Sequence, residues 1–493
     1  MTSAHLDLAA RTIEGTRPTS PTSTPRRWRS AVRTSEAAAS DPGPHHRKGA
    51  ARGLAAALIG SRAGAPATAS GSGEEEGKGE VAARGNPSTM NMKACLSMLT
   101  YLVFLTFLFS WPATSAALRA HLSHIDSGRG FTKRELLHRM VVRSRARAVN
   151  LCPFSRTNAH PATAPVGHAN TDVNSEYLIH LSIGAPRSQP VTLTLDTGSD
   201  VVWTQCEPCA ECFTQPLPRF DTAASNTVGS VACSDPLCKA HSEHGCFLHG
   251  CTYVSGTLSP LTTAKTGIAG FGRGPLSLPS QLKVRQFSYC FTARFEAKSS
   301  PVFLGAAGDL KAHATGPTLS TSFVRNPSPN TDSSSYYFVS FKGVTVGETR
   351  LPVPESAFAI KADGSGGTII DSGTDLTTFP DAVFRQLKSA FIAQVALPVN
   401  KTADEDDICF SWDAKKTAPM PKLIFHLEGA DWDLPRENYV TEDHESGQVC
   451  VVVSTSGQRD MTLIGNFQQQ NTHIVYDLAA GKLLLVPAQC GKL

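Results

Sequence analysis

A four-residue motif occurs twice in this 493-residue chain, and the repeat constrains the fold more than any other feature. Asp196-Thr197-Gly198-Ser199 follows the apolar run VTLTL, and Asp371-Ser372-Gly373-Thr374 follows the apolar run GTII. Each motif is followed at a distance by two small or apolar residues and a glycine, Ile268-Ala269-Gly270 in the first half and Leu463-Ile464-Gly465 in the second. A lone Asp-Thr-Gly would indicate only a β-turn. The repeat predicts two similar lobes that face each other.

The residue types of the motif indicate a chemistry. Hydrolysing a peptide without a metal or a covalent intermediate requires a base for water and an acid for the carbonyl oxygen. Two neighbouring carboxylates, Asp196 and Asp371, can share one proton because both cannot ionise at close range. The glycines Gly198 and Gly373 let backbone approach the carboxylates. The hydroxyls of Thr197, Ser199, Ser372 and Thr374 are predicted to donate hydrogen bonds that keep the carboxylates coplanar.

The chain from residue 176 onward is predicted to be an all-β body. Short β-rich runs such as YLIHLSIG, FSYCFT and HIVYDL recur from residue 176 onward, separated by Gly, Pro, Ser and Asn. One helix is predicted at PDAVFRQLKSAFIAQV, from its apolar spacing and its leading Pro380. The predicted fold is bilobal, with an N-terminal β lobe at 173–330, a C-terminal β lobe at 331–493 and the active site in the cleft between them.

The first part of the chain is basic and differs in composition. Residues 1–170 carry 22 basic and 10 acidic side chains, whereas residues 171–493 carry 24 and 32. Residues 1–91 are of low complexity, which indicates disorder or a gene-model extension ahead of a start at Met90 or Met92. Residues 92–117 have the order of a signal peptide, although the apolar stretch 94–111 could serve as a membrane anchor if it is retained. Residues 118–172 are predicted to be a basic propeptide with an amphipathic helix that covers the acidic cleft; a solvated arm is the alternative.

The sequence resembles the pepsin-like aspartic proteases, and among them the plant nepenthesin-like group. The runs EYLIHLSIGAP, LTLDTGSDVVWTQCEPC, GIAGFGRGPLSLPSQL, GGTIIDSGT and TLIGNFQQQNTHIVYDL carry the resemblance. It implies the pepsin fold, Asp196 and Asp371 as the catalytic pair, protein or peptide substrates and acidic working pH. It also implies that Trp203 supports a flap tyrosine. No cofactor, metal or nucleic-acid partner is expected, and we expect a monomer.

The chain departs from this family pattern at the active-site flap. In the family a Cys-x-Tyr strand is followed by a Tyr-Gly-Asp hairpin, further strands and a Phe-Gly-Cys before the Gly-Phe-Gly-Arg-Gly stretch. Here Cys251-Thr252-Tyr253 leads almost directly to Gly267, and no Tyr-Gly-Asp occurs. The flap segment is therefore predicted to be missing, either because an exon was skipped in the gene model of an active enzyme or because the product is truncated.

The cysteine content indicates an oxidising compartment, since eleven cysteines lie between Cys206 and Cys490. The C-x-x-C-x-x-C run at 206–212 could instead bind a metal. The resemblance implies the disulfides Cys206–Cys209, Cys233–Cys251, Cys238–Cys246, Cys290–Cys490 and Cys409–Cys450. Cys212 is then left as a free thiol. We expect a secreted protein of the apoplast or the vacuole.

Other motifs give weaker indications of function. Asn400-Lys401-Thr402 is an N-glycosylation sequon, and the acidic run 404–407 reads as a solvated loop or a weak cation site. The chain has no H-E-x-x-H and no G-x-S-x-G, which disfavours a zinc protease and a serine hydrolase. The alternative function, given the missing flap, is a non-catalytic pepsin-fold protein that inhibits glycoside hydrolases, or an inactive truncated form.

Overall fold

The computed structural model of the chain describes residues 3–4, 56–57, 118–151, 177–209, 212–240, 244–247, 250–253, 265–296, 298–306, 313–328, 332–400, 406–413 and 416–493. The predicted signal segment 92–117 lies outside the described residues. The connection 152–176 and residues 254–264, where the flap would begin, also lie outside them. No helix of the described part is long and apolar enough to cross a membrane.

The strands up to residue 324 are short and numerous. They are β1 Ser3–Ala4, β2 Ala56–Ala57, β3 Leu118–His124, β4 Tyr177–Ile183, β5 Gln189–Asp196, β6 Val202–Thr204, β7 Cys206–Glu207, β8 Phe220–Asp221, β9 Val228–Gly229, β10 His244–Phe247, β11 Gly250–Tyr253, β12 Gly267–Gly270, β13 Gln286–Cys290, β14 Ser300–Leu304 and β15 Leu319–Val324.

The strands of the second half are likewise short and numerous. They are β16 Phe338–Val339, β17 Phe341–Val346, β18 Thr349–Arg350, β19 Gly367–Ile370, β20 Thr378–Phe379, β21 Ile408–Ser411, β22 Leu423–Leu427, β23 Ala430–Asp433, β24 Val440–Asp443, β25 Gln448–Val451, β26 Ser454–Thr455, β27 Met461–Ile464, β28 Thr472–Asp477 and β29 Lys482–Pro487. The α-helices are α1 Lys133–Leu151, α2 Pro236–Lys239, α3 Leu278–Gln281 and α4 Asp381–Gln394. Short 3₁₀ helices lie at Asp332–Ser335, Glu355–Phe358, Arg436–Asn438 and Cys490–Lys492.

One long sheet joins the two halves of the body. Its strand order is β2-β6-β12-β5-β4-β3-β14-β13-β28-β29-β15-β16-β19-β27-β20-β26. The first half and the second half meet at the antiparallel pair β13–β28, in which Tyr289 lies opposite Ile474. The prediction of an all-β, bilobal fold is confirmed, and the two halves share a central sheet.

The sequence repeat is also a repeat in three dimensions. In the first lobe β12 runs parallel to β5 and antiparallel to β6, with Gly270 opposite Asp196. In the second lobe β27 runs parallel to β19 and antiparallel to β20, with Ile464 opposite Ile370. Strands β5 and β19 are covered on both faces, which explains their unbroken apolar runs. Each aspartate therefore stands at the end of a buried strand.

The helix predicted in the second lobe is α4. Its buried side chains, Val383, Phe384, Leu387 and Phe391, follow the spacing of one helix face and pack on the main core. Burying each of these side chains contributes about 1.5–3 kcal/mol to folding.

The predicted propeptide contributes one strand and one helix to the structure. Strand β3 lies between β4 and β14, with Leu122 opposite Ile179 on one side and Ser300 on the other. Helix α1 begins with a reciprocal cap: the Glu135 amide donates to the Thr132 hydroxyl, and the Thr132 amide donates to the Glu135 carboxylate at 2.8 Å. The segment 118–151 is thus part of the folded body.

The structure contradicts three of the five disulfides that the resemblance implied. Cys290–Cys490 and Cys409–Cys450 agree with it, whereas the others are Cys209–Cys212, Cys233–Cys246 and Cys238–Cys251. The implied pairs Cys206–Cys209, Cys233–Cys251 and Cys238–Cys246 are therefore wrong, and among the described cysteines the free thiol is the buried Cys206, not Cys212.

The reason for two of these corrections is the hairpin of β10 and β11. It places Cys246 directly opposite Cys251, so either residue could reach a partner in the segment before it. Cys251 is buried beside Cys238 and Leu276, while Cys233 and Cys246 lie nearer the surface. The buried cysteines pair with each other and the outer cysteines pair with each other, which spacing alone does not reveal.

Two dipeptides from the predicted low-complexity segment 1–91 are described. Strand β1 pairs with β9, and β2 pairs with β6, with Ala57 opposite Trp203. The second contact lies at the edge of the long sheet, which has β2 and then β6 as its first strands. The remainder of residues 1–91 lies outside the described part of the chain.

Candidate active site

The two repeated motifs form one symmetric site where the lobes meet. Asp196 is 2% exposed and Asp371 is fully buried. The Asp196 carboxylate accepts from the Gly198 amide at 2.9 Å and from the Ser199 hydroxyl at 2.6 Å. The Asp371 carboxylate accepts from the Gly373 amide at 2.9 Å and from the Thr374 hydroxyl at 2.6 Å. Each carboxylate is thus oriented by the two donors that its own motif supplies.

The second residues of the motifs do something other than predicted. The Ser372 amide donates to the Thr197 hydroxyl at 2.9 Å, and the Thr197 amide donates to the Ser372 hydroxyl at 3.0 Å. These two hydroxyls therefore join the turns to each other, while Ser199 and Thr374 hold the carboxylates in the way predicted. This crossed pair of hydrogen bonds fixes the distance between the two lobes beside the two aspartates.

Glycine is required in both motifs because there is no room for a side chain at these positions. A Cβ atom on Gly198 would lie 2.9 Å from Asp371 Oδ1, and one on Gly373 would lie 2.5 Å from Asp196 Oδ1. A Cβ on Gly465 would lie 2.5 Å from the Leu376 backbone. Any side chain at these positions would push the carboxylates apart or lift the turn from the strand behind it.

A chain of buried hydroxyl and amide groups supports the turns from the central sheet. The Thr197 hydroxyl hydrogen-bonds the Tyr476 hydroxyl, which lies 2.9 Å from the Tyr289 hydroxyl. Tyr289 donates to Gln469 Oε1 at 2.6 Å, and Gln469 Nε2 donates to the Ile464 carbonyl at 2.9 Å. This network of hydrogen bonds therefore connects the first motif to β27, the strand that lies beside the second motif. Sequence reasoning missed these residues because aromatic positions in a strand indicate core packing.

A cation from α1, in the predicted propeptide, lies between the two carboxylates. Arg147 of α1 donates from Nη2 to Asp196 Oδ1 at 2.5 Å and from Nε to Asp371 Oδ2 at 3.1 Å. Its side chain is 7% exposed, so the site is closed to solvent. Sequence analysis predicted that this segment covers the cleft, but it did not identify Arg147 among the many basic residues of α1.

Protonation at the site follows from burial and from the count of charges. Burial and the neighbouring Asp371 raise the pKa of Asp196, against the opposing effects of Arg147 and Ser199. Burial alone would lower the pKa of Arg147, but the two carboxylates hold it above its ordinary value. One guanidinium cannot neutralise two buried carboxylates, and the remaining negative charge favours the protonated form of Asp196.

A second group of charges lies one helical turn away from Arg147. Arg143 donates from Nη2 to Asp126 at 2.8 Å and from Nε to Asp375 Oδ2 at 2.9 Å. Asp375 Oδ1 lies 3.4 Å from Nη2 of Arg294, which is itself buried. Burial lowers the pKa of Arg143 to about 10, so its guanidinium keeps its charge at neutral pH. Sequence analysis did not single out Asp375, although it directly follows the second motif.

Apolar contacts also hold α1 against the second lobe. Met140 packs with Leu376, Val452 and Phe467. At the other end of the helix, Ala148 and Leu151 pack with side chains of the second lobe, namely Tyr336, Phe338, Ile369, Met461 and Leu463. The Ser144 hydroxyl also accepts from the Leu376 amide at 2.8 Å. The helix therefore occupies the second-lobe wall of the cleft with both polar and apolar groups.

The remaining predicted residues take no part in this site. Trp203 is buried, and its ring meets Phe213 edge to face at 6.4 Å; its predicted role under a flap tyrosine stays a prediction. The backbone amide of Asn400 donates to the Cys409 carbonyl. Glycosylation of the Asn400 side chain stays a prediction. In the acidic run, Asp406 pairs with Arg145 of α1 at 3.2 Å. The described residues contain no group of His, Cys, Asp or Glu that could hold a metal ion.

Two family models match the chain. One described as "Xylanase inhibitor N-terminal" matches residues 177–255 and 246–306, and one described as "Xylanase inhibitor C-terminal" matches residues 336–486. The first match is divided close to the place where the flap is predicted to be missing. The two models together cover both lobes.

Curated relatives align over most of the chain. Aspartic proteinase nepenthesin-1 of Nepenthes gracilis is 35% identical over 406 residues, covering 75% of this chain and 90% of that protein. Aspartic proteinase nepenthesin-2 of the same species is 32% identical and covers 76% and 90%. Aspartyl protease family protein 2 of Arabidopsis thaliana is 30% identical and covers 76% and 86%. A crystal structure of conglutin gamma from lupine seeds aligns at 15% identity with a TM-score of 0.49, over 63% of this chain and 92% of that one.

Two similar β lobes with one buried carboxylate each, held by crossed motifs, define the pepsin-like class of aspartic proteinases. Within that class the chain belongs to the nepenthesin-like aspartic proteinases.

Proposed function

We propose that this chain is an aspartic endopeptidase that is made as an inactive precursor, with residues 118–151 occupying its own active-site cleft. The observation that carries this proposal is the position of Arg147, which hydrogen-bonds both Asp196 and Asp371. The substrates are proteins or peptides, and the working pH is acidic. The curated relatives, which are named as aspartic proteinases, support this proposal.

The chemistry requires Arg147 to leave. Once it does, a water molecule can bind between the carboxylates, which together hold one proton. The charged carboxylate takes a proton from this water as its oxygen attacks the peptide carbonyl carbon. The protonated carboxylate gives its proton to the carbonyl oxygen, and the tetrahedral intermediate then breaks as the leaving nitrogen is protonated. The donors Ser199 and Thr374 keep both carboxylates in place throughout.

Acid would release the inhibitory segment. Burial is the main cause that lowers the pKa of His124 in β3, and Arg294 adds to it. Burial would raise the pKa of Asp126, but Arg143 and its neighbours hold it below its ordinary value. Both groups have depressed pKa values in the docked segment, so their contribution to docking is present at high pH and lost as the pH falls. The docked form is therefore favoured near neutrality, and release follows acidification.

We further propose that the protein is secreted, to the apoplast or the vacuole, and processed between residues 152 and 176. The apolar segment 94–111 with its small-residue flank supports a signal peptide. The five disulfides of the structure suit an oxidising compartment.

A second candidate function is a non-catalytic pepsin-fold protein that binds glycoside hydrolases. It is favoured by the short connection of residues 254–264, which leaves little chain for a flap. The alignment with nepenthesin-1 is 406 residues long but spans 75% of this chain's 493 residues, so part of it lies opposite gaps in this chain. A flap excludes water and positions substrate, so its loss would lower the rate.

One assay separates the candidates. The purified full chain is acidified and tested for cleavage of an unfolded protein, with and without pepstatin, alongside Asp196→Ala. Cleavage that pepstatin and Asp196→Ala both abolish supports the endopeptidase. Absence of cleavage by a folded sample, together with tight binding to a xylanase, would replace it with the second candidate.

A further inference from the structure

Asp375 is a buried carboxylate beside the catalytic pair that the reaction itself does not use. It directly follows Thr374, which hydrogen-bonds Asp371, so its position relative to the catalytic pair is fixed. Its side chain is 1% exposed while α1 is in place. One of its oxygens, Oδ2, accepts from Arg143 at 2.9 Å, and the other, Oδ1, lies 3.4 Å from Arg294.

The partners of Asp375 divide into those that leave and those that stay. Arg143 belongs to the segment 118–151 and would depart with it. Arg294 belongs to the first lobe and has further partners outside that segment: it donates to Asn466 Oδ1 at 2.6 Å, and it hydrogen-bonds Tyr177. Departure of the segment therefore leaves Oδ1 facing a fixed guanidinium and Oδ2 facing the open cleft.

The neighbours of Arg143 on α1 show that this part of the cleft accepts a polypeptide. One residue further along, Ser144 accepts from the Leu376 amide, so a backbone donor of the cleft wall is satisfied by the segment. One turn earlier, Met140 fills an apolar site formed by Leu376, Val452 and Phe467. A basic side chain, a hydrogen-bond acceptor and an apolar side chain thus contact neighbouring positions of the second-lobe wall.

We propose that Asp375 forms a subsite for an arginine or lysine side chain of the peptide substrate, at the place that Arg143 occupies in the precursor. This inference rests on the proposed endopeptidase function and names a class of substrate for it. A charged donor on a carboxylate makes a short and strong hydrogen bond, more so where solvent is excluded. Arg294 holds the carboxylate still, so a substrate cation meets an acceptor that is already oriented.

The test uses the full chain after acidification, with loss of residues 118–151 verified by mass spectrometry. A neutral parent peptide cleaved at a single bond is compared with a series in which one position at a time, on either side of that bond, carries Arg in place of Gln. Wild-type protein, Asp375→Asn and Asp433→Asn are measured on the whole series. Asp433 is the matched control, because it is an exposed aspartate of the same lobe that pairs with Lys422.

We expect one position at which Arg raises kcat/KM about tenfold over Gln in the wild type and in Asp433→Asn. In Asp375→Asn this ratio should fall below about twofold. No Arg preference at any position in the wild type, or a preference that survives in Asp375→Asn, would overturn the inference.

The neutral parent separates this inference from the proposed function. If the acidified wild type does not cleave the parent, the proposed function fails and the inference with it. If the parent is cleaved but Arg is nowhere preferred, only the inference fails. Should Asp375→Asn not fold, Asp375→Ser is measured instead, and the wild-type series alone still overturns the inference if it shows no preference.

Discussion

Two donors from its own motif hold each active-site carboxylate, in addition to the guanidinium of Arg147. The hydrogen bonds from Ser199 and Thr374 are equal in length, as are those from the two glycine amides. Arg147 adds to donors that each motif already supplies, so under the proposed function the precursor and the active form share one arrangement of carboxylates. We therefore expect that removing the cation exposes the catalytic pair without rebuilding it.

The chain of buried hydroxyls beneath the motifs gives a prediction at this scale. Tyr476→Phe removes the group that connects Thr197 to Tyr289. We expect it to lower the free energy of unfolding by about 1–2 kcal/mol, as expected for a buried hydrogen bond. We also expect kcat to fall about threefold to tenfold with little change in KM, because the first motif loses a support that fixes its geometry.

Tyr439→Phe is the matched control for this change. The Tyr439 hydroxyl donates to the Pro421 carbonyl at 3.0 Å and contacts neither motif. Thermal unfolding and steady-state kinetics of both variants separate stability from positioning. Equal losses of stability and unchanged kcat in both would show that the buried hydroxyls matter only for folding.

The sequence predicted the residue types of the site better than their partners. Asp196 and Asp371 could be selected because their motif repeats, and Ser199 and Thr374 because a hydroxyl follows at a fixed spacing. The crossed bonds of Thr197 and Ser372 depend on how the lobes approach each other. Arg147 is one of many basic residues in α1, and only the docked position of the helix distinguishes it.

At the scale of the element, the proposed function expects strand β3 and helix α1 to make the state of the cleft depend on pH. The His124 ring meets the Tyr177 ring edge to face at 5.4 Å, and its pKa is depressed by burial and then by Arg294 and Arg143, against Asp126. In the released segment this pKa returns to about 6.5. Docking is thus stabilised above about pH 6.5 and loses free energy as the pH falls below it.

His124→Gln tests this connection because glutamine does not titrate. We expect the variant to stay docked at lower pH, so that the midpoint for appearance of activity falls by about half a pH unit or more. The measurement is initial activity after incubation across a pH series. His121→Gln is the control, since His121 is exposed and lies in the same strand. A midpoint that moves equally in both variants, or upward in His124→Gln, would contradict the expected direction of the shift.

The cysteine-rich hairpin gives a second prediction for an element. Peptide mapping of the unreduced protein should recover Cys233–Cys246 and Cys238–Cys251. Cys206 is 7% exposed, and burial with Glu207 nearby raises the pKa of its thiol. Among the described cysteines, a thiol reagent should therefore label Cys206 alone, and only after unfolding. Label on Cys212 instead would restore the pairing implied by the family resemblance.

Elements with a periodic pattern were predictable from the sequence, and their pairings were not. Helix α4 and helix α1 carry apolar faces and start signals that a sequence shows. The hairpin of β10 and β11 sets two cysteines side by side, and the choice between partners depends on burial. The insertion of β3 between β4 and β14 is a contact between distant segments, which no local pattern indicates.

At the scale of the whole molecule, the repeat predicts two lobes, and the central sheet joins them into one body. Strands β13 and β28 come from different halves and pair along the whole of β13. The buried rings at this junction, such as Phe287 and Tyr476 at 4.4 Å, would make the lobes unfold together. The sequence also predicts the break in the family pattern after Tyr253, where residues 254–264 lie outside the described part.

The most direct test of the closed cleft is the time course of cleavage just after acidification of the full chain. Wild-type protein should show a lag while the segment leaves, and Arg147→Gln should shorten that lag at least about tenfold, because breaking a buried ion pair costs several kcal/mol. Arg145→Gln, which removes only the more exposed pair with Asp406, should keep the wild-type lag. Cleavage by the wild type without a lag, or an unchanged lag in Arg147→Gln, would contradict the claim that this helix closes the active site.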